Sequence, residues 1–154
     1  MSLTVTDNAR PVLIDRLNTL LADHFALYIK TKNFHWHVRG PSFRDLHLLF
    51  DEQATEILAL TDLIAERVRK NGADTLTSIG AIGAKSQVRD QDDAALGAMA
   101  MAAELRADNA ALVTALRELK EAATAAGDNA TEGMIDDWTD QAERRVWFLS
   151  AVTG

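Results

Sequence analysis

From Ser42 to Asn71 the sequence contains neither proline nor glycine, and its large apolar residues keep the period of a helix. That stretch predicts one long helix over about Phe43–Lys70, with Ser42 as a possible N-cap and Asn71-Gly72 as the stop. Upstream, Leu13, Leu17, Leu20, Leu21, Phe25 and Tyr28 carry the same period from Pro11 to about Phe34, and Val38–Ser42 breaks it with Gly-Pro. Two long helices joined by so short a turn must pack antiparallel.

The second half repeats the plan. A third helix is expected from near Asp92-Asp93 to about Ala125, turning Leu105, Leu112, Leu116 and Leu119 inward. The loop Ala126–Thr131 follows. A fourth helix is expected from about Glu132 to Ala151, burying Ile135, Trp138, Ala142, Val146 and Leu149. Residues 73–91 are rich in Gly, Ser and Thr and read as a long connection holding a short helix near Ile79–Ile82. Two hairpins joined by one long crossover make an all-α, ferritin-like four-helix bundle. The division is a short N-terminal tail, 1–10, and one bundle domain, 11–154. A chain of 154 residues is long enough for one real core.

Composition excludes several classes. There is no cysteine, which removes thiol chemistry and cysteine-ligated metals. No apolar run approaches the ~20 residues needed to span a membrane. The N-terminus lacks a basic start and an apolar stretch, so a cytoplasmic location is expected. A formal net charge of −7 argues against a generally nucleic-acid-binding surface and for one that attracts cations.

The chemistry lies on the second helix. At about 100° per residue, with His47 at zero, Asp51 falls near 40°, Asp62 near 60° and Glu66 near 100°. Leu46, Phe50, Ile57, Leu60 and Ile64 cluster on the opposite side. The acidic stripe therefore faces away from the bundle's own core. Its other members, Leu48, Thr55, Leu58 and Ala59, are apolar or small, where a solvated face would carry Lys, Glu or Gln. The helix is expected to be buried twice, by its own bundle and by another subunit.

Distance sharpens this expectation. Asp51 and Asp62 are separated by ~16 Å along a helix at 1.5 Å per residue. The pairs His47/Asp51 and Asp62/Glu66 cannot share one small site within a chain. They can share one when a second copy packs antiparallel about a two-fold axis, which makes the site twice. His35, just before the Gly-Pro turn, joins His47 through the hairpin. Two imidazoles and three carboxylates suit a first-row transition metal, iron above all, and the bound cation relieves the carboxylates' repulsion.

Plainer readings apply to single residues. An isolated Asp/Glu pair at i,i+4 is ordinarily solvated surface, and His24, on a largely apolar helix, reads as structural. His37 is either a ligand or a turn cap. Trp36 is either core or, beside a redox centre, a radical quencher.

The segment "KNFHWHVRGPSFRDLHLLFDE", followed by "TDLIAERV", resembles the signature of the Dps proteins, the mini-ferritins also known as DNA-binding proteins from starved cells. The resemblance covers nearly the whole chain and includes the "WFLSA" ending. It implies a homododecameric shell with ferroxidase centres at two-fold interfaces. His35, His47 and Asp51 would come from one subunit, and Asp62 and Glu66 from its neighbour. It implies oxidation of Fe(II) to Fe(III), preferably by hydrogen peroxide, with ferric mineral stored inside and protection from oxidative damage. Glu52 and Glu56 are weaker candidates for mineral nucleation. Other ferritins use an in-bundle Glu-x-x-His, and no histidine here has Glu three residues before it.

The sequence departs from the family in two places. Members that bind DNA through a tail carry several lysines there, whereas "MSLTVTDNAR" has none. DNA binding through the tail is therefore expected to be weak or absent, and compaction of DNA stands as the alternative function. Gly133 stands where the family often has an acidic residue, so Asp128, Glu132, Asp136 and Asp140 are candidates only for an iron entry pore.

Overall fold

The computed structural model describes residues 8–154. Five helices follow in order: α1 (Ala9–His37), α2 (Phe43–Lys70), α3 (Ile79–Lys85), α4 (Ala98–Ala125) and α5 (Asn129–Thr153). There is no strand among the described residues. α1 packs along α2 and α4 along α5, and the two hairpins meet chiefly through α1 and α4. The architecture is the expected ferritin-like bundle, with the short α3 inside the crossover. No helix among the described residues is long and apolar enough to cross a membrane.

The helical period of each long element becomes its buried stripe. Leu13, Leu17, Leu27 and Phe34 of α1 meet Phe50, Ile57 and Ile64 of α2, Leu105 and Leu116 of α4, and Trp138 and Leu149 of α5 in one continuous core. Phe25 and Tyr28 are only partly buried and pack against its edge. Leu46, Phe50, Ile57, Leu60 and Ile64 are all buried, while Leu48, Thr55, Leu58 and Ala59 are exposed. The two-sided character expected of α2 is therefore present in one subunit, with its second apolar face uncovered.

The helix ends differ from expectation in instructive ways. α1 starts at Ala9 and continues to His37, so the last two residues of the expected tail are helical. It stops where Val38 turns extended, at φ −60 and ψ 140, and Gly40, at φ 107, a conformation that glycine adopts without cost, then shapes the turn into α2. Ser42 stands at the start of α2 but makes no side-chain capping bond. α4 begins at Ala98, later than Asp92-Asp93 implied. Asp93 spends its side chain on the Ala95 amide at 2.9 Å, forming a local turn instead of a helix cap. α5 begins earlier than Glu132, because Asp128 caps it by accepting from the Thr131 amide. Val146 is only partly buried, and Arg145 holds the inward position beside it.

The crossover is held from α1. Lys30 Nζ donates to the Arg89 carbonyl at 2.9 Å, and Asn33 Nδ2 donates to that of Gln91 at 2.9 Å. Asp23 accepts from the Gln87 amide at 2.6 Å and from the Ser86 hydroxyl at 3.0 Å. Asn18 Nδ2 reaches the Asp74 carbonyl at 3.4 Å. Lys30 is itself buried between Glu104 (3.1 Å) and Asp108 (2.9 Å) of α4.

Candidate metal centre

His35 lies in the last turns of α1 and His47 in the second turn of α2, so the tight connection places them side by side. Their rings stack with centroids 3.9 Å apart and planes 13° from parallel. His35 Nδ1 donates to the His47 carbonyl at 2.6 Å, and His47 Nδ1 donates to the His35 carbonyl at 2.7 Å. A carbonyl only accepts, so both Nδ1 atoms carry hydrogen and Nε2 is the nitrogen each ring can offer to a metal. The His35 carbonyl is free to accept because the last turn of a helix has no donors four residues ahead. This is the arrangement in which imidazole is fixed and aimed as a metal ligand.

Asp51, one turn beyond His47, completes the local group. Its Oδ1 lies 3.8 Å from His35 Nε2 and 2.8 Å from Lys32 Nζ. The hydrogen bond from Lys32, reinforced by its charge and by the nearby imidazoles, holds the Asp51 carboxyl below the usual carboxylate range. Lys32 also sits 5.8 Å from the centroid of the Trp36 ring. Phe43 covers His47 with ring centroids 5.0 Å apart. Neither Lys32 nor Phe43 stood out in the sequence. Each lies one helical turn from a histidine on the same face, Lys32 three before His35 and Phe43 four before His47, and that spacing was the available signal.

Asp62 and Glu66 are exposed farther along α2, and the fold does not bring them to His35, His47 and Asp51. Among the described residues, no three histidine or carboxylate groups converge tightly enough within one subunit to hold a metal. The surface between the two halves is apolar. A groove of about 800 Å³ is lined by Phe25, Tyr28, Ile29, Trp36, Leu58 and Ile79. Ile79 is 87% exposed and Trp36 59%. Asp62 itself edges a cleft lined by Leu21, Phe25, Ala65, Leu76 and Ile82. Trp36 therefore does not belong to its own subunit's core.

The remaining candidates divide clearly. His24 is buried and donates from Nδ1 to the Leu20 carbonyl at 2.9 Å, a structural role, and burial lowers its pKa to about 4. His37 Nδ1 reaches both the carbonyl and the side-chain oxygen of Asn33 at 2.8 Å, which caps the last turn of α1. Glu56 is not a free carboxylate for nucleation, because the buried Arg145 reaches it at 3.4 Å. Asp128 is not a free pore acid either. It accepts from Arg67 at 2.8 Å, Asn71 at 2.9 Å and Thr131, which hold its carboxyl well below the usual range against the opposing effect of burial. Asp136 is paired with Lys120, while Glu132 is partly exposed and Asp140 exposed. Residues 1–7 of the expected tail lie outside the described residues. Arg10, its one basic residue, donates to Asn71 Oδ1 at 2.7 Å.

Residues 14–154 match the family model of the ferritin-like domain. The "DNA protection during starvation protein" of Brevibacillus brevis is 33% identical over 88% of this chain and 90% of its own length. The chain is a member of the Dps family. The crystal structure of a Dps protein from Bacillus brevis superposes with a TM-score of 0.91 at 30% identity, covering 97% of this chain and all of that one. The X-ray structure of Dps from Thermosynechococcus elongatus gives 0.93 at 27% identity, over 99% and 96% of the two chains. Membership in the Dps family accords with the histidine-bearing hairpin and the crossover helix.

Proposed function

We propose that this protein oxidises Fe(II) with hydrogen peroxide and stores the ferric product inside a closed homododecameric shell, limiting oxidative damage in the cytoplasm. The observation that carries the reading is the reciprocal His35/His47 bond pair, which leaves both Nε2 atoms to serve as ligands, that of His35 beside Asp51, next to an uncovered apolar face. A second copy packed antiparallel along α2 brings its Asp62 and Glu66 to that group. The five ligands, His35, His47, Asp51, Asp62 and Glu66, form a nitrogen–oxygen set suited to iron with positions left open for oxidant. Two Fe(II) ions each give one electron to hydrogen peroxide, the O–O bond breaks, and two protons are taken up to form two water molecules. No hydroxyl radical is released when both electrons are delivered together. Lys32 holds Asp51 ionised before metal arrives, and Phe43 shields the imidazole stack from water.

Compaction of DNA is the second reading. It is disfavoured by a tail without lysine, by Arg10 being engaged with Asn71, and by the net charge of −7. The deciding experiment is anaerobic loading with Fe(II), followed by separate additions of peroxide and oxygen while absorbance reports Fe(III). Peroxide should outpace oxygen. Oxidation by oxygen that is equally fast or faster would refute the proposed chemistry.

A further inference from the structure

Away from the α1–α2 face, the bundle interior holds a polar cluster that packing does not require. Each long helix contributes to it: His24 from α1, Gln53 and Glu56 from α2, Asn109 from α4 and Arg145 from α5. Arg145 is 1% exposed, so a permanent positive charge lies at the centre of the fold. Its Nε donates to Asn109 Oδ1 at 2.7 Å, and its Nη1 approaches Glu56 Oε1 at 3.4 Å. His24 is near enough for the Arg145 charge to act on it. Arg145 Nη2 and Gln53 Oε1, both buried, have no protein partner. Both residues border a cavity of about 20 Å³ between α2 and α5, with Glu52 and Arg144 also in its lining.

A buried ion is costly unless its partners are good, and this one has a single long contact to a carboxylate. The groups around it are a half-exposed carboxylate, two amide side chains and an imidazole, supplied by the other three long helices. Helical bundles hold metal ions with inward-pointing groups of this kind, and such an oxygen–nitrogen set takes first-row divalent ions. Here the cation in the middle is the protein's own. We propose that Arg145 is a built-in counter-ion that denies the bundle interior to divalent metal, so that metal collects only on the α1–α2 face. An entering ion would meet a fixed positive charge in a medium that screens it poorly. The cavity is the size of a single water molecule, which there would accept from Arg145 Nη2 and donate to Gln53 Oε1. The inference concerns where any divalent ion can bind and does not depend on the iron chemistry proposed above.

The test removes the surface ligands first. In a His35→Ala, His47→Ala background, Co(II) binding is measured by equilibrium dialysis and by the visible absorption of the bound ion. Arg145→Gln, which is neutral, should gain one Co(II) per chain, whereas Arg145→Lys, which keeps the charge, should gain none. Adding Glu56→Gln to Arg145→Gln should abolish the gain. No extra Co(II) in a folded Arg145→Gln protein overturns the proposal, as does an equal gain with lysine. Crystals of the unaltered protein soaked in Co(II) give a check that does not rely on a folded variant. An anomalous peak beside Glu56 inside the bundle overturns the proposal, and its absence there with peaks on the α1–α2 face supports it.

Discussion

The proposed shared centre makes a quantitative demand that no site within one chain can meet. His47→Ala and Asp62→Ala subunits are prepared separately, and each pure oligomer lacks one ligand at every centre. Iron oxidation should therefore be slow in both. The two are then unfolded, mixed in equal amounts and reassembled. The separation of ~16 Å between Asp51 and Asp62 along α2 places the two ligand groups in different centres of any antiparallel pair. In a mixed pair, one centre takes its histidines from the Asp62→Ala chain and its carboxylates from the His47→Ala chain, and so has every ligand. The other centre loses both groups. Random mixing makes about half the pairs mixed, each with one intact centre of two, so about a quarter of all centres recover, as two-fold symmetry requires. The initial rate of Fe(III) formation after peroxide addition measures this fraction against unaltered protein. A mixed sample no faster than the mean of the two pure mutants refutes the shared centre, once native mass spectrometry has shown that mixed oligomers formed.

Three further outcomes follow from the fold and the tail. Burial lowers the pKa of His24 from 6.5 to about 4, so between those values the unfolded chain binds the proton that the folded chain refuses. Stability should fall as pH drops from 6.5 towards 4, by roughly 3 kcal/mol from this residue, and denaturant melts of His24→Gln should show a flatter pH profile. Trp138→Ala empties one of the largest buried positions and should cost about 3–5 kcal/mol, read as a lowered denaturation midpoint with iron chemistry retained below the transition. Gel shifts at ~150 mM salt with chelator present should show weak DNA binding, and tight binding under those conditions would contradict the tail-charge argument.

The sequence carried the bundle because the helical period is a direct record of which positions are buried. Leu46, Phe50, Ile57, Leu60 and Ile64 were separable from the His47–Glu66 stripe by angle alone, and their burial follows that division. The placement of His35 beside His47 was legible too, because a Gly-Pro turn between two long helices leaves few alternatives. What was not legible depended on which side chain reaches which backbone atom. The carbonyls that fix the imidazole tautomers belong to the histidines themselves, and no residue type announces such a bond. Asp93 and Asp128 are the same amino acid near a helix start, yet one closes a local turn and the other caps α5. Arg145 carries a signal in the sequence. It falls three residues after Ala142 and four before Leu149, on the buried stripe itself, where a charged side chain should be conspicuous.

The crossover is tied down largely through its main chain. Lys30, Asn33 and Asn18 bind the carbonyls of Arg89, Gln91 and Asp74, and Asp23 binds the amide of Gln87. Main-chain carbonyls are the same whatever amino acid supplies them, and the amide is common to all but proline. The route of this connection is thus written into α1, and at those four points the side chain of the crossover residue is immaterial to the bond, with only proline excluded at position 87. Homologous connections of equal length can drift in sequence while following one path, and a change at Lys30 or Asp23 alters the course of a segment more than fifty residues downstream.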